Sequence, residues 1–231
     1  MPAVFVTATG TEIGKTYVTA GLARCLRGRG RKVAILKPIV SGFEEQDWQA
    51  SDPAILLEAL GETPSLAAIN SIAPWRFKAP LSPDMAAAQE GKTIDFAALV
   101  SFCRNALASA EDVLLIEGIG GVMVPLTAEA SVLDLLEALD IAPILVAGTY
   151  VGTLSHTLTA LEAIERRGIN LCALVLNETP GSVAALEATA ASLQHFYKAG
   201  PIVILKRDAA NANTAGFEIL ADRLQQSWQN P

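Results

Sequence analysis

Short apolar runs alternate along this chain with longer segments of helical periodicity. The runs fall at 3–6, 32–36, 112–116, 143–147, 171–176 and 201–205. Each is leucine-rich or β-branched and bounded by Gly, Pro, Asp or Asn, as strands are. Helical patterns occupy 15–26, 52–60, 96–109, 131–139, 153–167 and 182–197, with a last one at 217–225. Strand and helix in alternation predict an α/β fold: a mostly parallel sheet with right-handed crossovers, flanked by helices in a three-layer sandwich. No repeat, low-complexity tract or Gly/Ser linker divides the sequence, so residues 1–231 read as one domain. One stretch breaks the rhythm. Residues 61–92 carry Pro64, Pro74, Pro80 and Pro83 and offer no convincing strand. A loop that long in a compact domain is usually functional or a cover. Ligands of open α/β sheets sit beyond the carboxyl ends of the strands. Chemistry is therefore expected in the loops after Val6, Leu36, Ile116, Ala147 and Leu176.

Composition narrows the classes. Of 231 residues, 51% are hydrophobic and 18% charged, which suits a sheet buried on both faces. A net charge of −7 and no evident basic face argue against a nucleic-acid binder. The longest apolar stretch, 141–154, is broken by Pro143, Gly148 and Gly152 and is too short to span a bilayer. No basic region precedes the first apolar run, so no secretory leader is read. Cys25, Cys103 and Cys172 are far apart, without metal-ligand spacing, and read as small buried residues in a reducing compartment. The expectation is a soluble cytoplasmic protein.

The chemistry begins at Thr9-Gly10-Thr11-Glu12-Ile13-Gly14-Lys15-Thr16, between the first apolar run and the first helical segment. Strand, glycine-bearing loop and helix is a phosphate-binding arrangement: backbone N–H groups point at anionic oxygens, Lys15 reaches the terminal phosphates and the Thr16 hydroxyl holds Mg²⁺. Thr9 stands where the strict motif has its first glycine. Lys37 follows the second run, either aimed at the same rim or snorkelling to solvent. Asp52 opens a helix, where a carboxylate is also an ordinary cap. Glu117, followed by Gly118, Ile119, Gly120 and Gly121, ends an apolar strand as a magnesium-binding acid does. Asn177 ends another, able to read a base edge or merely to terminate the strand. His156 and His195 are isolated and read as structural. The acidic run 44–47 reads as a solvated loop.

These blocks in this order resemble the dethiobiotin synthetases: Thr11 to Thr16, Lys37-Pro38 with Ser41-Gly42, Ser51-Asp52, and Glu117 to Gly121. Pro74-Trp75-Arg76-Phe77 with Pro80-Leu81-Ser82-Pro83, and Val151-Gly152-Thr153-Leu154-Ser155-His156, are similar to two further family segments. The resemblance covers about Val4 to Asn177. It implies a phosphate-loop NTPase fold of the SIMIBI type. The implied reaction is ATP-dependent closure of 7,8-diaminopelargonic acid with CO₂ into a cyclic urea, with Mg²⁺ and a homodimer. By resemblance, Lys37, Lys15 and Thr11 would be catalytic, and Thr16, Asp52 and Glu117 would hold the metal. Glu12, Ile13, Gly14, Lys15, Thr16, Tyr17, Asp52, Glu117, Gly118, Ile119, Gly120 and Asn177 would contact the nucleotide. Thr11, Lys37, Ser41, Val151, Gly152 and Leu154 would contact the substrate, the last three across the dimer. The family usually has Gly at Ala8, often His at Asp84, and Asn at Ser155. It has Gly-x-Ile-Pro where this chain reads Gly200-Pro201-Ile202-Val203. An alternative of another class is a switch ATPase of the ParA/MinD kind, but its second loop lysine is missing between Thr7 and Ile13.

Overall fold

Along β1 (Ala3–Ala8) every side chain is buried, and alternate ones enter two different cores. Ala3 and Phe5 face one layer; Val4, Val6 and Ala8 face the other. The remaining strands are β2 (Val33–Leu36), β3 (Ile39–Ser41), β4 (Trp75–Phe77), β5 (Val113–Glu117), β6 (Pro143–Gly148), β7 (Ala173–Asn177) and β8 (Val203–Leu205). Six form one sheet in the order β2-β5-β1-β6-β7-β8, every pair parallel. The six apolar runs of the sequence are these six strands. Both faces must be covered in such a sheet, which is why the runs are apolar throughout.

The covers are α1 (Lys15–Gly28), α2 (Asp52–Ala59), α3 (Leu66–Ile72), α4 (Pro83–Gln89), α5 (Phe96–Ser109), α6 (Val132–Leu139), α7 (Thr153–Arg166), α8 (Leu186–Phe196) and α9 (Asn213–Gln229). Helices α1 and α9 bury Val18, Leu22, Leu26, Leu220 and Leu224 with Val4 and Val6. Helices α5 to α8 bury Leu99, Leu136, Ile164 and Leu193 with Phe5. Local chemistry fixes the helix starts. Ser131 and Asp134 exchange hydrogen bonds in a capping box before α6, and Asp95 accepts from Ala98 N at 3.0 Å before α5.

The computed structural model describes residues 2–207 and 213–229. Met1, 208–212 and 230–231, which the single-domain expectation spans, lie outside them. No helix among the described residues is long and apolar enough to cross a membrane.

The stretch 61–92 departs from expectation. It contains α3, α4 and β4, and β4 pairs in parallel with β3 in a separate two-stranded sheet. Neither three-residue strand sits within a longer apolar run, as β8 does, and Ile39–Ser41 looks like the loop after β2. The cysteines differ too: Cys103 is buried, while Cys25 and Cys172 are half-buried, and none of the three is in a disulfide.

Candidate active site

Register does most of the assembly. β2, β5 and β1 are neighbours, with Leu36 opposite Ile116 and Val6 opposite Glu117. Lys37, just past β2, Glu117, the last residue of β5, and the loop leaving β1 therefore emerge side by side at one sheet edge. Glu12 (φ 59°) and Gly14 (φ 97°) adopt left-handed backbone and turn this loop into α1. Gly14 O then accepts the first helical bond, from Val18 N at 3.0 Å.

Both lysines are buried, and they are held differently. Lys15 Nζ donates to two carbonyls, Gly10 O at 3.1 Å and Gly120 O at 2.9 Å. Burial and the neighbouring Lys37 lower its pKa to about 8, against the pull of Glu117 and Asp52. Lys37 is 3% exposed and does not snorkel. Its Nζ lies 2.6 Å from Glu117 Oε1, 2.9 Å from Gly118 O and 3.3 Å from Asp52 Oδ2. Burial opposes its charge, yet the two carboxylates prevail and hold its pKa above the ordinary lysine value. For Asp52, burial works against ionisation but Lys37, the Thr16 hydroxyl and Lys15 outweigh it and lower its pKa. Asp52 is the first residue of α2 rather than its cap. Ser51 takes the cap position and makes no side-chain capping bond.

Thr16 Oγ1 donates to Glu117 Oε1 at 2.8 Å. Glu117 is fully buried, and its Oε2 has no hydrogen-bond partner among the described residues. Two carboxylates and a hydroxyl are hard oxygen donors of the kind Mg²⁺ takes, and a buried acceptor with nothing to accept fits such an ion. No cluster of three or more His, Cys, Asp or Glu able to hold a metal occurs among the described residues. A cation here would need further oxygens, as from phosphate or water.

Both lysines, Thr16 and Asp52 line a cleft of about 790 Å³, while Glu117 does not line it and is joined to it through Lys37 and Thr16. Thr11, Glu12, Gly14, Lys15, Thr16, Lys37, Ser41, Asp52, Ile119 and Gly120 all reach it. The cleft is also lined by Pro80 to Pro83, Val40, Gly42 and Val124, which are not among the predicted site residues although Pro80 to Pro83 and Gly42 fall in family-like segments. The proline punctuation of 61–92 was a further sign. Ser41 Oγ, in this cleft, is buried without a partner among the described residues. The glycines after Glu117 serve the loops as much as any ligand. A Cβ on Gly121 would lie 3.1 Å from Thr9 O, so the two loops touch through backbone.

Some predicted residues stand elsewhere. Asn177 does not line the cleft, and its Nδ2 donates to Ile13 O at 3.0 Å, clamping the phosphate loop from behind. Tyr17 is half-exposed and tilts against Phe217, ring centroids 5.8 Å apart. Val151 (81% exposed) and Leu154 (39% exposed) flank Gly152 at the start of α7, outside the cleft. Beside them Tyr150 and His156 line a second depression of about 650 Å³ with Thr9 to Ile13. His156 Nδ1 lies 3.0 Å from Tyr150 OH, and His195 Nδ1 lies 2.8 Å from Ala191 O, so both histidines are partnered. Residues 44–47 are exposed, as a solvated loop should be.

A family model described as an AAA domain matches residues 2–207. An ATP-dependent dethiobiotin synthetase from Methylobacterium nodulans is 48% identical over 198 residues, 84% of this chain and 88% of that protein. One from Anaeromyxobacter dehalogenans is 36% identical over 97% of this chain and all of its own length. The chain belongs to the dethiobiotin synthetase family. The family is one of ATP-dependent ligases, and the chain is an enzyme of that class. Among solved structures, the cell-division ATPase MinD of Pyrococcus furiosus superposes with a TM-score of 0.56 at 15% identity, covering 98% of this chain and 100% of that one. That likeness establishes the phosphate-loop NTPase fold alone. The switch-ATPase alternative gains only this from it, whereas the synthetase identities of 36–48% extend over 84–97% of the chain.

Proposed function

We propose that the chain converts 7,8-diaminopelargonic acid, CO₂ and ATP into dethiobiotin, ADP and phosphate, as a step of biotin synthesis in the cytoplasm. The single observation that carries this reading is the convergence of two buried lysines, Lys15 and Lys37, with Asp52 and Thr16 on one cleft, where fully buried Glu117 bonds both Lys37 and Thr16.

One amine of the diamine takes up CO₂ as a carbamate. The carbamate oxygen attacks the γ-phosphorus and ADP leaves. The second amine then attacks the carbonyl carbon of the mixed anhydride, phosphate departs, and the ring closes. Carbamate and γ-phosphate are both anions, and two unit charges ~4 Å apart repel by roughly 4 kcal/mol at an effective dielectric near 20. The chain's task is to gather positive charge between them. Phosphoryl transfer needs positioning and electrostatics more than covalent chemistry, which suits a cleft without a nucleophile–base pair. Lys15 and the loop N–H groups from Glu12 to Thr16 would hold the phosphates. Lys37 would face the carbamate, with Thr11 and Ser41 orienting it. Thr16, Asp52 and Glu117 would hold Mg²⁺, which supplies charge neutralisation on the phosphate oxygens when bound. Gly118, Ile119 and Gly120 would pass beneath the nucleotide. Tyr17 and Asn177 would flank it, Asn177 through the oxygen its clamp on Ile13 leaves over. Exposed Val151, Gly152 and Leu154 would serve the cleft of a second copy in a homodimer.

The test is ADP release with Mg-ATP and bicarbonate, with and without the diamine, and the product mass. Diamine-dependent ADP with a cyclic-urea product is expected. ADP release indifferent to the diamine would overturn the proposal and favour the switch ATPase.

A further inference from the structure

The Lys37 ammonium stands between the two carboxylates assigned to the metal. It is 2.6 Å from Glu117 Oε1 and 3.3 Å from Asp52 Oδ2, and Glu117 Oε1 also accepts from Thr16. All three metal-side residues thus converge on the space this ammonium fills. We infer that Lys37 is a built-in substitute for the divalent cation, holding the metal's seat in the empty enzyme and released by Mg-nucleotide to meet the carbamate.

Charge and space argue this together. Glu117 is fully buried, and a buried carboxylate needs a counter-charge at every stage. Before nucleotide binds, Lys37 is that charge. Mg²⁺ bonds carboxylate oxygens at about 2.0–2.1 Å, and a dication so close to Glu117 and Asp52 repels an ammonium on the same pair. The displaced Nζ has somewhere to go, because Lys37 already lines the cleft beside Ser41 and Thr11. The exchange also leaves no stage with an uncompensated carboxylate. It orders the reaction: the group that neutralises the carbamate becomes free only when the phosphoryl donor is in place. The inference rests on the Mg-ATP part of the proposed function and not on the diamine.

The test is Mn²⁺ titration followed by electron paramagnetic resonance, without nucleotide. Wild type should bind weakly. Lys37→Gln and Lys37→Met should bind at least about tenfold more tightly, and Glu117→Gln in the Lys37→Gln background should erase the gain. Mg²⁺ alone should raise the melting temperature of the Lys37 variants far more than that of wild type. Affinity unchanged or weakened in folded Lys37 variants overturns the inference, as does a gain that survives Glu117→Gln. Should the variants fold only with Mg²⁺, the substitution of one cation for the other is itself displayed. Wild type gives an independent reading. In protein carrying ε-¹³C-lysine, the Lys37 resonance, identified by its loss in Lys37→Arg, should move on adding Mg-ADP, and a stationary resonance refutes release. None of these readouts involves the diamine. Tightened Mn²⁺ binding in the Lys37 variants, together with wild-type ADP release indifferent to the diamine, would sink the synthetase reading and leave this one standing.

Discussion

A Cβ on Gly14 would lie 2.3 Å from Asn177 Nδ2, because that nitrogen reaches across to the Ile13 carbonyl. The phosphate loop is shaped from two sides at once, by its own left-handed glycine (φ 97°) and by an amide from the end of β7. Gly14→Ala must meet the left-handed penalty and push Asn177 off its acceptor. The expected loss is about 2–4 kcal/mol of folding stability, with weakened nucleotide binding. Asn177→Ala alone should cost about 0.5–1.5 kcal/mol. In the double variant the clash is gone, so the two losses should add to less than their sum. Urea denaturation of the four proteins checks this, and strict additivity would show that the two residues do not collide.

The buried pair Lys37–Glu117 and the half-exposed Asp52 should respond very differently to loss of charge. Glu117→Gln strands an ammonium in the interior, and removing one partner of a buried pair costs about 3–5 kcal/mol. Asp52 has 43% of its side chain exposed and sits farther from Nζ, 3.3 Å against 2.6 Å. Asp52→Asn should therefore cost about 1 kcal/mol or less, although both variants should lose turnover. Equal destabilisation by the two changes, measured by urea melts at pH 7, would mean that water reaches Glu117 as freely as Asp52.

That contrast marks where the sequence was legible. Glu117 and Lys37 stand out because one ends and the other directly follows a run of four apolar residues, and adjacency of β2, β5 and β1 then brings them together. Asp52 was ambiguous between cap and ligand, since both place a carboxylate at a helix start. The fold puts Ser51 at the cap instead and brings Lys37 Nζ within 3.3 Å of Asp52. The wall formed by Pro80 to Pro83 was marked only by its prolines and a family-like segment, because β3 and β4 are three residues each and, among the described residues, pair with one another. Nothing local distinguishes Ile39–Ser41 from the loop it continues. Val151, Gly152 and Leu154 show the limit on the other side. Their motif is readable, but the chain by itself leaves them outside the cleft and exposed.

Helices α1 and α9 meet at a point with no spare room. A Cβ on Gly21 would lie 2.1 Å from Phe217 Cζ, in ordinary helical backbone. Gly21→Ala gains helix propensity of about 1 kcal/mol but must displace an aromatic ring packed in the core, and overpacking costs about 1–3 kcal/mol. A net loss is expected, turning into a net gain when Phe217→Leu opens the space. Thermal melting of the two variants settles the sign, and stabilisation by Gly21→Ala alone would show that Phe217 yields freely.

Lys15 gives the sharpest pH-dependent expectation. Its pKa is lowered from 10.5 to about 8 by burial first and Lys37 second. Between those values the unfolded chain holds more protons at this position than the folded one. Lys15 therefore costs stability fully below about pH 8, and the cost is relieved as pH rises from 8 toward 10.5. Lys37 has the opposite sign. Its raised pKa contributes stability that is complete below 10.5 and lost as pH climbs through its higher value. A bound triphosphate places several negative charges on Lys15 and drives its pKa back up, so nucleotide binding must take up protons. At pH 8 about half of the free molecules carry a neutral Lys15, which sets the uptake at up to about half a proton per site. Titration calorimetry in two buffers of different ionisation heat measures that number directly. Uptake should vanish near pH 6, and should vanish at every pH in Lys15→Arg, whose guanidinium never gives up its proton. A wild-type binding heat independent of buffer at pH 8 would mean that the empty loop already keeps Lys15 fully charged, with Glu117 and Asp52 outweighing the burial that lowers it.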